Sequence, residues 1–176
     1  MLKVFLVEDE YVVRLGIKKN IAWQAHGYEF CGEASDGELA LPLIRKHRPD
    51  ILITDIKMPF MDGLALSEII TKEFPNIKVI IISGYDDFEY ARQAISEGVT
   101  QYLLKPITRS TMTKALSEIR EKYESEQEQK DYLRKYRSEM ADYERALLRS
   151  FFEKVFEGKL SMQEVYDEAK KLSIDI

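Results

Sequence analysis

The chain has 176 residues, 45 % of them hydrophobic and 32 % charged, with a net charge of −5, which suits one globular domain plus a smaller appendage and neither disorder nor a fibrous repeat. The longest apolar runs, residues 4–7 and 79–82, are too short to span a bilayer, and no charged start precedes a secretory core, so a soluble cytoplasmic protein without membrane contact is expected. One cysteine, Cys31, and two histidines, His26 and His47, exclude an internal disulfide and a Cys/His zinc site.

Residues 1–107 read as five apolar strands, 2–7, 28–34, 51–54, 79–83 and 101–104, rich in Val, Ile and Leu without clean polar alternation, the pattern of strands buried on both faces. Between them lie helical stripes: Val12, Val13, Gly16, Ile17 and Ile21; Leu39, Leu43 and Ile44; Leu66, Ile69 and Ile70; Tyr90, Ala91, Ala94 and Ile95. Ser35 with Glu38 and Asp86 with Glu89 have capping-box spacing, and Asp62-Gly63 marks a third helix start. Pro42 is the misfit, because inside a helix it costs roughly 3 kcal/mol, so the second helix is expected to kink there or to begin later. Strict alternation of strand and helix implies right-handed crossovers and a doubly wound α/β domain with a five-stranded parallel sheet, for which the flavodoxin-like order 2-1-3-4-5 is the one expected.

From Thr108 a helix is expected to run without Gly or Pro as far as Gly158, a long C-terminal helical extension. Met112, Leu116, Ile119 and Tyr123 form a stripe able to pack on the sheet domain. Residues 124–131 are almost wholly polar, with Glu126/Lys130 and Asp131/Lys135 at i, i+4 spacing. Leu133, Tyr136, Met140, Tyr143 and Leu147 then recur at alternating three- and four-residue steps, a two-heptad seam suited to a parallel dimeric coiled coil, with a solvated connector as the alternative. The expected divisions are 1–122, a helical linker at 123–150, and the start of a second helical module at 151–176. In that module Ser161 and Glu164 again have capping-box spacing. Phe151, Phe152, Val155 and Phe156 need a core that so few residues cannot build, so the chain is expected to stop inside that module.

The charge is distributed without a basic surplus. Residues 1–107 carry 12 Lys+Arg against 16 Asp+Glu, and residues 108–176 carry 14 against 15, so no nucleic-acid footprint is present in either half.

In a doubly wound sheet, sites lie beyond the carboxyl ends of the strands. There the sequence puts Glu8, Asp9 and Glu10, then Asp55, then Ser83-Gly84, then Lys105-Pro106. With the first and third strands adjacent, Glu8, Asp9 and Asp55 converge, and like charges that close need a cation among them. Hard oxygen ligands suit Mg²⁺. Lys105 can reach the same cavity and pair with a carboxylate or a phosphoryl oxygen, and Ser83 offers a hydroxyl. Together they form a cradle for a phosphoryl group, with Asp55 as the carboxylate able to attack it. The acidic first loop argues against a flavin phosphate, which needs a neutral, hydroxyl-rich one.

Val7-Glu8-Asp9, Asp55-Ile56-Lys57-Met58-Pro59 with Met61-Asp62-Gly63, Ser83-Gly84, and Tyr102-Leu103-Leu104-Lys105-Pro106 together resemble the receiver domain of two-component response regulators over residues 1–122. The resemblance implies the strand order 2-1-3-4-5, that Asp55 is the phosphoacceptor, that Glu8, Asp9, Asp55 and the Lys57 backbone carbonyl hold Mg²⁺, and that Lys105 is the site lysine with a cis peptide to Pro106. It further implies that Ser83 is the switch hydroxyl and Tyr102 the switch aromatic. The implied donor is a sensor histidine kinase, and slow self-dephosphorylation makes the domain a timer, not an enzyme. Ile21-Ala22-Trp23, Gly27-Tyr28-Glu29 and the run 83–91 look like a Gram-positive subgroup that carries a C-terminal AraC-type DNA-binding domain. That domain is absent here, so the resemblance implies transcription control through a missing segment. A homodimer is expected through the seam of the long helix and/or the face of the fourth helix, fifth strand and fifth helix, the face whose partner affinity the resemblance implies will change on phosphorylation. A non-phosphorylated interaction module is the competing reading. A Mg²⁺-dependent phosphatase would need a second carboxylate where Lys57 stands. Trp23 and Cys31 read as packing residues.

Overall fold

The computed structural model describes residues 1–84, 88–96 and 98–175. The expected Asp86/Glu89 cap and the 85–87 part of the subgroup signature lie outside them. The described residues form two compact units, Met1–Glu121 and Lys122–Ile176.

In the first unit the elements are β1 (Leu2–Val7), α1 (Tyr11–Asn20), a 3₁₀ turn (Gln24–His26), β2 (Tyr28–Ala34), α2 (Gly37–His47), β3 (Ile51–Asp55), α3 (Gly63–Glu73), β4 (Lys78–Ser83), α4 (Phe88–Ser96), β5 (Gln101–Leu104) and the first turns of α5 (Arg109–Phe156). All strand pairs are parallel, in the order β2-β1-β3-β4-β5. The expected strands and sheet order are thus recovered, with β3 and β4 each one residue longer. Alternate residues of one strand feed two separate cores. Val4 and Leu6 face Ile17 of α1, Ile21 just beyond its end, and Met112 and Leu116 of α5, whereas Phe5 and Val7 face Ala40, Ile44, Leu66 and Ile70 from α2 and α3. Burial on both faces is why the strands read as continuous apolar runs.

Two local expectations are corrected. The cap of α2 is Asp36, whose Oδ1 accepts from Leu39 N at 2.9 Å, and not Ser35 with Glu38. The helix also begins at Gly37, ahead of Pro42 and not after it. Pro42 and Glu38, whose carbonyl Pro42 cannot bond, are both on the exposed side of the helix, where water can solvate the free acceptor. The α1 and α4 stripes are only partly inward: Ile17 and Ala94 are buried, while Val12, Tyr90 and Ile95 are exposed.

Trp23 packs against Phe30 with ring centroids 5.4 Å apart and donates Nε1–H to the Lys18 carbonyl. Cys31 sits at the register shift between β1 and β2, which lets Gly32 lie against the Phe5 ring. Arg120 on α5 spans the Tyr28 ring and donates to the His26 carbonyl.

In the second unit α5 runs unbroken to Phe156 and is followed by α6 (Met162–Lys171), whose Ser161/Glu164 capping box is fully formed. Asp131 lies 3.7 Å from Arg134 rather than pairing with Lys135. Leu133, Tyr136, Met140, Tyr143 and Leu147 all lie on exposed surface. Phe151 and Ala169 are buried and Lys154 meets Glu168 at 3.8 Å, while Phe152 and Phe156 remain exposed.

Candidate functional site

The carboxyl edge of the sheet gathers the polar strand ends. Asp55 is the last residue of β3 and aligns with Ile82 of β4, so Ser83 stands one step beyond it on the neighbouring strand. Leaving β1, Glu8 donates its N–H to the Ala34 carbonyl, and the Arg14 guanidinium bonds the Glu8 carbonyl at 2.6 Å, which fixes the turn into α1. Lys105 is held at the end of β5 by its own N–H to the Ser83 carbonyl, and its peptide to Pro106 is cis, as expected.

Glu8, Asp9 and Asp55 each offer a carboxylate oxygen within 4.8 Å of the others. Glu8 is 0 % and Asp55 5 % exposed, and Asp9 opens to solvent. The Lys105 ammonium lies 2.9 Å from Asp55 Oδ2, 3.2 Å from Glu8 Oε2 and 3.9 Å from Glu10 Oε1. Asp55 Oδ1 accepts from Ile56 N at 2.8 Å, so both oxygens of this carboxylate are oriented. Burial, reinforced by the Asp55 charge, raises the Glu8 carboxyl to about 7. Burial pulls the Lys105 ammonium down, but the hydrogen bond to Asp55 and the charges of Glu8 and Asp55 outweigh it, and the net shift is upward.

The site fits a hard divalent cation. Three carboxylates against one ammonium leave a formal −2 when all are ionised. Buried Glu8 Oε2 faces the Lys105 ammonium at 3.2 Å, and the carboxylate oxygens of Glu8, Asp9 and Asp55 converge closely enough to share one cation. The oxygen-only donor set favours Mg²⁺ over a softer metal.

Ser83, fully buried, bonds the Gly84 carbonyl and the Tyr102 hydroxyl, which joins the two expected switch residues to one another. The six side chains assigned from the sequence therefore fall into two linked groups, Glu8/Asp9/Asp55/Lys105 and Ser83/Tyr102. Lys57 follows in the exposed loop after β3.

Sequence reasoning passed over Gly63 as a site residue. A Cβ there would sit 1.8 Å from the Asp55 carbonyl oxygen, and Gly63 N donates to Ile56 O at 2.8 Å, so the start of α3 presses directly on the acceptor strand. The Asp62-Gly63 pair signals a helix start but carries no hint of what lies beneath it. Glu10 follows the acidic pair with no role legible in the sequence, and its reach to Lys105 exists only in three dimensions.

A parallel sheet of order 2-1-3-4-5, with a buried acid cluster and a lysine on its carboxyl edge, defines a doubly wound α/β domain with a polar site beyond its strand ends. The sequence model of the response regulator receiver domain matches residues 4–117, and the chain belongs to that family, the receivers of two-component systems. Among solved structures it is similar to the REC domain of AraT, a response regulator from Geobacillus stearothermophilus, at 42 % identity and a TM-score of 0.68 over 72 % of this chain and 98 % of that one. A two-component transcriptional regulator AraC from Clostridium phytofermentans ISDg matches at 36 % identity and a TM-score of 0.64, covering 73 % of this chain and 99 % of that one. The uncharacterized transcriptional regulatory protein YesN of Bacillus subtilis (strain 168) is 39 % identical over 119 residues, 68 % of this chain and 32 % of its own length. The transcriptional regulatory protein HptR of Staphylococcus aureus (strain N315) is also 39 % identical over 119 residues, which is 46 % of its length. The chain therefore spans less than half of these curated relatives. No helix among the described residues is long and apolar enough to cross a membrane.

Proposed function

We propose that the chain is a phosphorylation-driven switch in which Asp55 accepts a phosphoryl group from the phosphohistidine of a sensor kinase. The observation that carries this reading is the convergence of Asp55 with Glu8, Asp9 and Lys105. Glu8, Asp9, Asp55 and the Lys57 carbonyl would hold Mg²⁺, which when bound offsets negative charge on the phosphoryl oxygens. An Asp55 oxygen attacks phosphorus as the bond to the imidazole nitrogen breaks, giving an acyl phosphate and free histidine. Lys105, already bonded to Asp55 Oδ2, follows the charge as it moves onto the phosphoryl oxygens. Ser83 supplies the next contact: its hydroxyl leaves its present partners to donate to the phosphoryl group, which alters the bond it shares with Tyr102. Slow hydrolysis of the acyl phosphate resets the switch.

The output we assign is transcription control through an AraC-type DNA-binding segment outside these 176 residues. It is supported by the relatives named as transcriptional regulatory proteins and by the similarity to a two-component transcriptional regulator AraC. The exposed stripe from Leu133 to Leu147 supports a homodimer through α5; the α4-β5-α5 face, where Tyr90, Ile95 and Leu104 are exposed, is the other candidate. Acetyl phosphate with Mg²⁺ is expected to add one labile, hydroxylamine-sensitive phosphate, and Asp55→Asn to abolish it. Equal labelling of that variant would overturn the assignment.

A further inference from the structure

Three described residues other than glycine have positive φ: Arg48, Phe60 and Ser173. Arg48 and Ser173 close helix ends, Arg48 N bonding Ile44 O and Ser173 N bonding Lys170 O, as left-handed caps do. Phe60 has no such role. It lies in the loop between β3 and α3 at φ 66°, between Pro59 and Met61, whose O and N bond at 2.9 Å across it, and its side chain is 84 % exposed. A bulky aromatic is among the poorest choices for this backbone, where Gly or Asn fits without cost.

The loop around it is clamped. Ile56 is buried, Gly63 N returns to Ile56 O, Met61 lies so close to α2 that a Cβ on Gly37 would meet its Cγ at 2.8 Å, and Asp62 caps α3. Ile56 and Gly63 are buried and Met58 and Met61 half-buried, whereas Phe60 is the one large apolar side chain of this loop that is held outward. The loop leaves from Asp55 at the carboxyl end of β3 and returns to press on the Asp55 backbone carbonyl, so it forms part of the rim of the sheet edge beside a carboxylate whose side chain is only 7 % exposed. A small phosphodonor can enter past that rim, but a protein that delivers its phosphoryl group on a side chain must lie against it.

We propose that Phe60 is a specificity residue for the protein phosphodonor, packing its ring on an apolar surface beside the donor's phosphorylated histidine. This rests on the reading of Asp55 as the acceptor. An outward aromatic on a rigid support is the usual anchor of such an interface, and its area is available without ordering the loop first.

The test uses the full chain, its Phe60→Gly and Phe60→Trp variants, and two donors: acetyl phosphate, and autophosphorylated sensor-kinase cores of the organism that carries the chain. Phe60→Gly also removes the backbone strain, so its thermal midpoint is expected to equal or exceed that of the parent. Acetyl phosphate is expected to label all three proteins alike. Transfer from the kinase that labels the parent fastest is expected to fall about tenfold or more in Phe60→Gly, chiefly through KM, and to be retained in Phe60→Trp. Equal transfer to Phe60→Gly and the parent overturns the proposal, as does labelling of the parent by acetyl phosphate but by no kinase. If acetyl phosphate fails to label even the parent, the failure lies with Asp55 as acceptor.

Discussion

Glu8 makes Mg²⁺ binding a proton-coupled event, and the coupling can be counted. In the metal-free site its carboxyl is raised to about 7 by burial and by Asp55, so a cation that takes Glu8 as a ligand must displace whatever proton is there. For a single titrating ligand the apparent dissociation constant is scaled by 1 + 10^(pKa − pH), which is about 11 at pH 6 and about 1.1 at pH 8 for a pKa of about 7. Affinity is therefore expected to rise roughly tenfold, or about 1.4 kcal/mol, between those values. Lys105 stays an ammonium throughout, since its pKa is moved upward. Isothermal titration in two buffers of different ionisation enthalpy should find about 0.9 proton released per Mg²⁺ at pH 6, about 0.5 at pH 7 and about 0.1 at pH 8. Glu8→Gln should bind more weakly and release almost none. Folding of the metal-free protein carries the same shift with the opposite benefit: the folded state holds the Glu8 proton more tightly than the unfolded chain, so the Glu8 contribution is intact below pH 4.5, falls as pH rises from 4.5 towards 7, and is lowest above that. A proton count that stays at zero at pH 6, with affinity unchanged to pH 8, would refute the reasoning.

Two further perturbations test other parts of the molecule. Gly63→Ala puts a methyl 1.8 Å from the Asp55 carbonyl oxygen, so either β3 or α3 must retreat; a loss of roughly 1–3 kcal/mol in denaturant unfolding is expected, with acetyl phosphate labelling reduced by up to about 100-fold through displacement of Asp55. A variant with parental stability and labelling would show that the contact is not a constraint. Met140→Asp or Leu147→Asp, each placing a carboxylate in the exposed α5 stripe, is expected to convert a dimer into a monomer in sedimentation while leaving Asp55 labelling alone, and a mass unaffected by either change would reject the seam.

What could be read in the sequence follows from how locally each feature is determined. The strands were legible because both faces of the sheet are covered, so residues such as Val4, Phe5, Leu6 and Val7 are all apolar whichever way they point. The site was legible for the complementary reason: Glu8, Asp55 and Ser83 are polar where the strand pattern demands apolar side chains, and no core would tolerate them unpaired. Helix faces were less so, since periodicity names an apolar stripe but not its width. Val12 continues the α1 stripe in sequence, yet it is 79 % exposed because the core takes Val13, Ile17 and Ile21 from that segment and leaves Val12 on the outer side. The choice between Ser35 and Asp36 as cap was hidden for a similar reason, both having the right chemistry one residue apart, with the decision made by where α2 must start to seat Ala40 and Ile44. Least legible were features that exist only as a close approach or a backbone angle. Gly63 is required by an oxygen eight positions earlier, and Phe60 at φ 66° violates local preference. Since the inward residues around Phe60 would hold the same loop with glycine in its place, the violation is not explained by folding, and the physical cause has to be sought in what the exposed ring meets.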